Sequence, residues 1–369
     1  MLNRDLICSG CGAKVQTLDR NAPGYVPESA LERDVVICQR CFRLKHYNEV
    51  QDIPLTDDDY LKILHALGEK KALIVKIVDI FDFNGSWLPG LPRFVGGNDV
   101  FLLGNKADLL PKSVNKNKLI SWMRKSAKEL GLKPVDVMLV SAEKGDGIIK
   151  AANRIDELRN GHDVYIVGCT NVGKSTFINQ LIKKFGGDEE QLITTSYFPG
   201  TTLDIIDIPL DDGKTLYDTP GIINHHQIAH HIDKKELKII TPKKEIKPVV
   251  YQLNAKQTLF FGGLARLDFV KGERTSFVCY FSNELRIHRT KLEKADELYE
   301  KHLGDLLSPP SKKTKERVPP FVRHEFHIKK AKTDIVFSGL GWVTINGENV
   351  TVCAHAPKGV AVTVRDSLI

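Results

Sequence analysis

The stretch that decides the fold is "GCTNVGKST", Gly168–Thr176. It matches the pattern Gly-x4-Gly-Lys-Ser, in which backbone N–H groups curl around nucleotide phosphates. The preceding "HDVYIVG" has strand character and the following "KSTFINQLIKKF" has helical spacing, which is the context that a phosphate loop requires. In such a loop, Lys174 neutralises the β- and γ-phosphates and Ser175 ligates Mg²⁺.

Downstream of this loop, "LYDTPG" supplies the Asp-x-x-Gly arrangement that senses a γ-phosphate. Asp218 is predicted to hold Mg²⁺, and the Gly221 amide is predicted to contact the γ-phosphate. Asp-x-x-Gly alone is weak evidence because turns use the same residues. Its position behind two strand-like segments makes it credible. Between the two motifs, "FPGTT" offers a threonine to cover Mg²⁺; Thr202 is favoured over Thr201, but both fit.

A base-reading motif lies upstream of the phosphate loop, in "LLGNKADLL". The Asp108 carboxylate can accept both N1–H and the 2-amino group of guanine, whereas adenine leaves that carboxylate unpaired. Lys106 is predicted to lie along the base and Asn105 to tie neighbouring loops together. About thirty residues later, Ser141-Ala142 ends another strand, where the Ala142 amide can donate to guanine O6.

The motifs therefore stand in the order base-reading loop, Ser-Ala, phosphate loop, threonine switch and Asp-Thr-Pro-Gly, which is a circular permutation of the usual GTPase order. A compact domain tolerates such a change because its ends often lie close together at the surface. Buried strands alternate with helical segments, which predicts an α/β fold with a mostly parallel sheet. The strands are predicted at 72–80, 99–105, 135–142 and 162–168, and the helices at 113–130 and 147–159.

The predicted nucleotide site draws on all of these loops. Ile222 follows Gly221, where many GTPases place a water-orienting Gln, so intrinsic hydrolysis is expected at roughly 10⁻⁴ to 10⁻² per second. Asn171 either helps to hold a potassium ion or is only a turn residue. The predicted catalytic residues are Lys174, Thr202, Asp218 and Gly221. The predicted ligands of Mg²⁺ are Ser175, Thr202 and Asp218. The residues predicted to bind GTP or GDP are Asn105, Lys106, Asp108, Ser141, Ala142, Asn171, Val172, Gly173, Lys174, Ser175 and Thr176.

Two cysteine pairs open the chain, Cys8-x2-Cys11 and Cys38-x2-Cys41. Four thiolates at such spacings can complete one tetrahedral zinc site, which has no open position and is therefore structural. The alternative is a redox pair or two unrelated pairs. Disulfides are disfavoured in the cytoplasm, the location that the start of the chain predicts because it lacks a secretory signal pattern.

The remaining organisation follows from composition and charge. The chain has 369 residues, 42% hydrophobic and 27% charged, with no apolar run long enough to predict a membrane span. Residues 225–369 carry 25 Lys and Arg against 16 Asp and Glu, which indicates either a nucleic-acid partner or a basic solvated surface. Three domains are predicted: a four-cysteine region at 1–56, a GTPase domain at 57–223, and a basic β-rich domain at 224–369. The last contains a linker or exposed loop near 308–320 and a hairpin turn at Asn346-Gly347.

The permuted order, the four-cysteine region and the long C-terminal extension together resemble the YqeH-type circularly permuted GTPases. The resemblance spans essentially the whole chain. It implies a bacterial cytoplasmic GTPase in ribosome biogenesis, acting in maturation of the small (30S) subunit with rRNA or a ribosomal protein as partner. It also implies potassium-stimulated turnover, because related permuted GTPases with an apolar residue after Asp-x-x-Gly show that property.

Two functions stay open: a GTP-switched assembly factor, and an RNA-modifying or translation-associated GTPase with a second activity in its C-terminal half. The second requires a catalytic cluster or cofactor motif there. The histidines at 225, 226, 230 and 231 form the one cluster in that half, and no third ligand or carboxylate pattern supports a catalytic metal. The assembly factor is therefore favoured.

Overall fold

The computed structural model describes residues 6, 8, 14–20, 24–31, 36–39, 42, 65, 68–88, 90–185, 194–197, 204–221 and 224–369, without the side chains of 194–206. These residues form two compact units. Unit 1 comprises Met1–Ile80, Ser86–Ala107 and Ile120–Ile223, and unit 2 comprises Phe81–Gly85, Asp108–Leu119 and Asn224–Ile369. Two short stretches inside the predicted 57–223 domain therefore belong to the same unit as the C-terminal half.

Unit 1 contains a seven-stranded, mostly parallel sheet in the order β3-β2-β1-β4-β7-β6-β5. Strands β1 to β4 and β7 run parallel to one another, whereas β6 is antiparallel to both β7 and β5. The strands are β1 (Ala72–Asp79), β2 (Val100–Asn105), β3 (Asp136–Leu139), β4 (Asp163–Val167), β5 (Thr194–Tyr197), β6 (Asp204–Pro209) and β7 (Thr215–Asp218). The α-helices that precede β7 in the described part of the chain are α1 (Leu91–Phe94), α2 (Lys116–Glu129), α3 (Ile148–Arg159) and α4 (Lys174–Phe185).

Apolar sequence runs explain why the central strands lie where they do. Seven of the eight residues of β1 are buried, and all six residues of β2 are buried. Such strands need cover on both faces, which helices supply in α/β folds. Helix α3 packs on β1, β4 and α4 through one face that includes Ile148, Ala151 and Ile155. The predicted P-loop fold with a mostly parallel sheet is thus confirmed.

Unit 2 is β-rich, as the sequence predicts, and holds two antiparallel five-stranded sheets. The first has the order β12-β9-β10-β16-β13, and the second has the order β17-β14-β15-β11-β8. Two helices accompany them, α5 (Lys234–Ile240) and α6 (Ala295–His302). The strands are β8 (Val249–Leu253), β9 (Gln257–Phe261), β10 (Ala265–Lys271), β11 (Thr275–Phe281), β12 (Ile287–Lys291), β13 (Phe321–Ile328), β14 (Thr333–Phe337), β15 (Gly341–Ile345), β16 (Val350–Pro357) and β17 (Val362–Asp366).

A single hydrophobic core joins these two sheets. Phe261 of β9 stacks on Phe281 of β11 with ring centroids 4.2 Å apart, and Phe337 of β14 lies 5.5 Å from Phe261. Phe269 and Phe277 extend the same core. Aromatic side chains from both inner faces therefore hold the sheets together, as in other β-sandwiches.

The prediction of a hairpin turn at Asn346-Gly347 is wrong. Strand β15 pairs with β11 and β14, whereas β16 pairs with β10 and β13. The connection therefore passes from one sheet to the other. Asn346 lies beside β11, where its N–H donates to the carbonyl of Ser276 over 3.1 Å and its side-chain amide to the Ser276 hydroxyl over 2.8 Å.

The segment 308–320 connects α6 to β13 within unit 2 and does not separate two units. Pro309, Pro310 and Thr314 are buried in it. The buried carboxylate of Glu236 in α5 accepts hydrogen bonds from the Ser311 N–H, at 2.7 Å, and from the Thr314 hydroxyl. This anchor explains why a polar, proline-bracketed sequence is ordered here.

Among the described residues, no helix is both long and apolar enough to cross a bilayer.

Candidate functional site

The phosphate loop lies between β4 and α4 and allows almost no side-chain volume at its glycines. A Cβ at Gly168 would lie 3.0 Å from the Ile77 carbonyl oxygen, and one at Gly173 would lie 2.3 Å from Asn105 Nδ2. Gly173 also has a φ of +85°, which favours glycine. The loop backbone is thus pressed against two neighbouring segments, which fixes its path at the N-terminus of α4, where helix N–H groups favour an anion.

Lys174 and Asp218 form a buried ion pair. Lys174 is 1% exposed and its Nζ donates to Asp218 Oδ1, while Asp218 is 4% exposed. Sheet topology explains the meeting, because β4 and β7 are adjacent parallel strands in which Ile166 pairs with Asp218. Thr219 fixes the turn that follows, since its hydroxyl donates to the Ile166 carbonyl over 2.8 Å. The lysine predicted to bind phosphate and the carboxylate predicted to hold Mg²⁺ are therefore in contact.

Asn105 joins three loops. At the end of β2 it is 2% exposed, and its Nδ2 donates to the Val172 carbonyl over 2.8 Å. Its Oδ1 accepts from the Ala142 N–H at 2.9 Å. The base-reading loop, the Ser-Ala loop and the phosphate loop are thus tied together by one amide side chain.

Lys106 links the base-reading loop to the phosphate loop a second time. Its backbone φ is +64°, and its Nζ donates to the Asn171 carbonyl oxygen and to Asp79 Oδ2, each over 2.6 Å. Sequence reasoning missed Asp79. The available signal was its place as the last residue of the apolar strand β1, where it pairs in register with Asn105.

The Ser-Ala loop is a compact turn. Ser141 and Ala142 are buried at 2% and 1% exposure. The backbones of Ser141 and Asp146 exchange two hydrogen bonds of 3.0 Å, and the Ser141 hydroxyl accepts from the Lys144 N–H at 3.2 Å. These bonds hold the Ala142 N–H on the Asn105 side chain.

Asp108 lies in the 3₁₀ turn Ala107–Leu109 and is partly buried. The stretch that begins at Asp108 belongs to unit 2, where the Leu109 carbonyl accepts from the Ile246 N–H at 2.8 Å. Lys112 N–H donates to Glu245 Oε1 at 2.9 Å in the same unit. Gly221 is buried. Thr201, Thr202 and Ile222 lie outside the described residues.

A buried lysine that the sequence analysis did not single out lies in β1. Lys76 is fully buried, and among the described residues its Nζ has no hydrogen-bond partner. It lies 5.0 Å from the centroid of the Trp87 ring. Burial lowers the pKa of Lys76 to about 8, against a smaller opposing effect from Cys169 in the phosphate loop.

Two of the four predicted zinc ligands are described, and they meet. Cys8 and Cys38, one from each pair, are buried with Val26 and Val36 in a small core. The Cys38 N–H donates to Cys8 Sγ at 3.1 Å. Cys11 and Cys41 lie outside the described residues. In the part of the chain that is described, no cluster of three or more His, Cys, Asp or Glu suits a metal ion.

The histidine cluster of unit 2 bonds to backbone carbonyls. His226 Nδ1 lies 3.1 Å from the Gly359 oxygen, and His230 Nε2 lies 2.9 Å from the Asn224 oxygen. The His225 and His230 rings are 5.5 Å apart. These contacts are structural, and they give no support to a catalytic metal there.

Comparison with known proteins agrees with the geometry. Residues 163–259 match the family model described as a 50S ribosome-binding GTPase, and residues 274–368 match the model described as YqeH-like, C-terminal. The first match starts at β4, so the base-reading motif precedes the matched region.

Relatives match over the whole length. Protein YqeH of Bacillus subtilis (strain 168) is 64% identical over 364 residues, covering 99% of both chains. NO-associated protein 1, chloroplastic/mitochondrial, of Arabidopsis thaliana is 32% identical and covers 98% of this chain and 76% of its own. The GNP-bound structure of YlqF from T. maritima is 22% identical, covers 50% of this chain and 65% of its own, and has a TM-score of 0.32, too low to support an inference. A GTP-hydrolysing domain in permuted order, followed by the C-terminal region of YqeH, places this chain in the YqeH family of GTPases.

Proposed function

We propose that the protein is a GTP-gated assembly factor of the small ribosomal subunit, whose C-terminal half binds rRNA or a ribosomal protein in the cytoplasm. The observation that carries this proposal is the charge of residues 225–369, with 25 Lys and Arg against 16 Asp and Glu, on a chain that belongs to a GTPase family. Clustered positive charge is the usual means of binding the phosphates of RNA. The ribosome-binding description of the matched family model supports a ribosomal partner.

Co-sedimentation with ribosomal particles tests this proposal. The purified protein is mixed with small-subunit precursors, mature 30S subunits and 50S subunits, each with a GTP analogue, with GDP and without nucleotide. Association with small-subunit precursors in one nucleotide state supports the proposal. Equal association in all states contradicts the gate, and association with 50S subunits alone contradicts the assigned subunit.

The gate is proposed to lie in the segment that follows Asp218 and Gly221. Gly221 is three residues before Asn224, where the C-terminal stretch of unit 2 begins. Order in the γ-phosphate-sensing turn can therefore pass along the chain into that unit. Amide exchange across 224–260 is expected to differ between the GTP-analogue and GDP states. Identical exchange in both states contradicts the gate.

Nucleotide and Mg²⁺ follow from the family, and the residues that hold them are proposed. Lys174 and the phosphate-loop N–H groups are assigned to the phosphates. Ser175, Asp218 and Thr202 are assigned to Mg²⁺, with Thr201 as the alternative to Thr202. The carboxylate of Asp218 and the hydroxyl of Ser175, both in buried residues, are oxygen donors of the kind that Mg²⁺ prefers. When bound, Mg²⁺ neutralises the charge that develops on the phosphates.

A structural zinc ion is proposed for Cys8, Cys11, Cys38 and Cys41. The meeting of Cys8 with Cys38 supports it, because an N–H donor to sulfur stabilises a thiolate ligand. Metal analysis of the purified protein should find one zinc per chain, and Cys8→Ser should lose it. Cys353→Ser, which changes a cysteine of unit 2, serves as the control and should keep zinc. A zinc-free wild-type protein contradicts the site.

Potassium-stimulated hydrolysis is proposed through Asn171. This exposed residue of the phosphate loop has a φ of +64°. In this proposal its side chain helps to hold a potassium ion, and the ion supplies the positive charge that the site lacks with the apolar Ile222 after Gly221. GTP hydrolysis should be faster in K⁺ than in Na⁺, and Asn171→Ala should remove the difference. A rate indifferent to the two ions contradicts this role.

A further inference from the structure

We propose that Asp79 is a positioning residue for guanine-nucleotide binding, which acts by fixing the side chain of Lys106. The inference rests on the GTPase activity of the family and is independent of the proposed ribosomal role. It adds to the site a residue that stands outside every nucleotide motif in the sequence, 27 residues before Lys106.

The contacts place the Lys106 ammonium between two acceptors. Nζ donates to Asp79 Oδ2 over 2.6 Å and to the Asn171 carbonyl over 2.6 Å. Both side chains are largely buried, with 24% of Lys106 and 13% of Asp79 exposed. A charge-assisted hydrogen bond in such surroundings is stronger than a surface ion pair and restricts the lysine to one orientation.

Asp79 is itself held firmly. Its N–H donates to the Ser86 hydroxyl at 3.0 Å, and Ser86 is fully buried. The Ser86 carbonyl in turn accepts from the Cys169 thiol of the phosphate loop at 3.3 Å. Register with β2 fixes the same residue from the other side, because Asp79 pairs with Asn105. The carboxylate therefore has little freedom to follow a moving lysine.

The arrangement bears on nucleotide binding because Lys106 stands in the base-reading motif. Its backbone is already in the left-handed region, at a φ of +64°, so that main chain and side chain are both constrained. Because two acceptors hold the ammonium group at the end of the Lys106 side chain, the aliphatic part of that side chain is restricted to one conformation. A stem fixed before the base arrives loses less conformational entropy on binding than a mobile one.

Asp79→Asn tests the proposal, because it keeps the size of the side chain and removes its charge. Release of a fluorescent GDP analogue is expected to be about tenfold faster and the KM for GTP to rise, with kcat within about twofold of wild type. KM is expected to change without kcat because hydrolysis takes place at the γ-phosphate, which is assigned to residues other than Asp79 and Lys106. Asp99→Asn is the matched control: it changes an exposed aspartate before β2 and should leave release unchanged.

A double-mutant cycle separates positioning from general damage. Lys106→Met is also expected to speed release, and adding Asp79→Asn to it should cause no further change, since the lysine on which Asp79 acts is gone. If Asp79→Asn does not fold, Asp79→Glu replaces it in the same cycle. Effects that multiply in the double variant overturn the proposal. So does GDP release within twofold of wild type in Asp79→Asn, or a fall in kcat with an unchanged KM.

Discussion

At the scale of single residues, the position of the Asn105 side chain determines which residue the phosphate loop can carry next to it. Gly173 is the clearest case, because the Asn105 amide occupies the place of a Cβ. The same amide is held by the Val172 carbonyl and the Ala142 N–H, so it has no other position to take. The glycine of the phosphate loop is therefore required by packing as well as by its positive φ.

Gly173→Ala is expected to lower GDP affinity by more than about a hundredfold, because a Cβ at 2.3 Å from Asn105 Nδ2 must displace the loop. Calorimetric titration with GDP checks this value. Gly213→Ala is the control: Gly213 has a φ of +76°, and no atom lies within 4 Å of its added Cβ. Equal losses of affinity in both variants would contradict an effect of packing.

Lys76 is expected to destabilise the fold at neutral pH. Its pKa falls from 10.5 to about 8 on burial, which corresponds to a cost of about 3 kcal/mol below pH 8. The unfolded chain binds the proton more tightly, so this cost diminishes as the pH rises from 8 to 10.5. Lys76→Met should therefore raise the free energy of unfolding at pH 7 and lose this advantage by pH 10.5. Denaturant titrations of both proteins across that range measure the difference, and a pH-independent difference contradicts the assignment.

Asp108→Asn is expected to move the preference from guanine to xanthine nucleotides. The asparagine amide offers a donor to the 2-oxo group of xanthine, whereas guanine presents a 2-amino donor there. Binding of GDP and XDP to the two proteins is compared by competition. An unchanged preference for GDP would mean that Asp108 does not read the base.

At the scale of elements, sequence patterns located strands and helices far better than they located their partners. The apolar runs at 72–80 and 99–105 became β1 and β2, because a strand buried on both faces has a strong local signature. The turn signal at Asn346-Gly347 is equally local, but pairing is decided by the core that each strand faces. Phe277, on β11, and Val350, on β16, belong to that one core from different sheets. The assignment of strands to one sheet or the other cannot be predicted from any short stretch of sequence.

The same difference between local sequence signals and long-range contacts applies to the residues of the candidate site. The phosphate-loop, Asp-x-x-Gly and base-reading motifs could be recognised from residue types and spacing together with the predicted strands that precede them, because their chemistry demands fixed residue types at fixed intervals. Asp79 could not, since a single aspartate at a strand end is a common feature. Its partner Lys106 becomes evident only once β1 and β2 lie side by side.

The segment 308–320 should be released by Glu236→Ala. The Glu236 carboxylate is the acceptor for the Ser311 N–H and the Thr314 hydroxyl. Its loss leaves the segment with only the hydrogen bonds between Ser311 and Thr314 themselves and removes the connection to α5. Limited trypsin digestion should cut at Lys312, Lys313 or Lys315 roughly fivefold or more faster than in wild type. Glu316→Ala, which changes an exposed residue of the same segment, should be cut at the wild-type rate. Unchanged cutting of Glu236→Ala would show that the anchor is unnecessary.

At the scale of the whole molecule, charge is distributed unequally along the chain. Residues 225–369 carry a positive excess, whereas the rest of the chain has 28 Lys and Arg against 30 Asp and Glu. Binding to RNA or to ribosomal particles is therefore expected to weaken steeply with salt. The affinity should fall by about tenfold or more between about 50 and about 200 mM salt, and filter binding with an rRNA fragment measures it. A salt-independent affinity would point to a protein partner.

If Lys174 binds phosphate and Asp218 binds Mg²⁺, as proposed above, the ion pair between these two residues couples the binding of nucleotide to the binding of metal. A phosphate group that takes the lysine leaves a carboxylate buried without its counter-charge, and a divalent ion that takes the carboxylate strands an ammonium in the same way. Only the two arriving together satisfy both. With this assignment, a phosphate alone or a cation alone is expected to bind weakly, because each would have to break the ion pair without replacing the lost counter-charge.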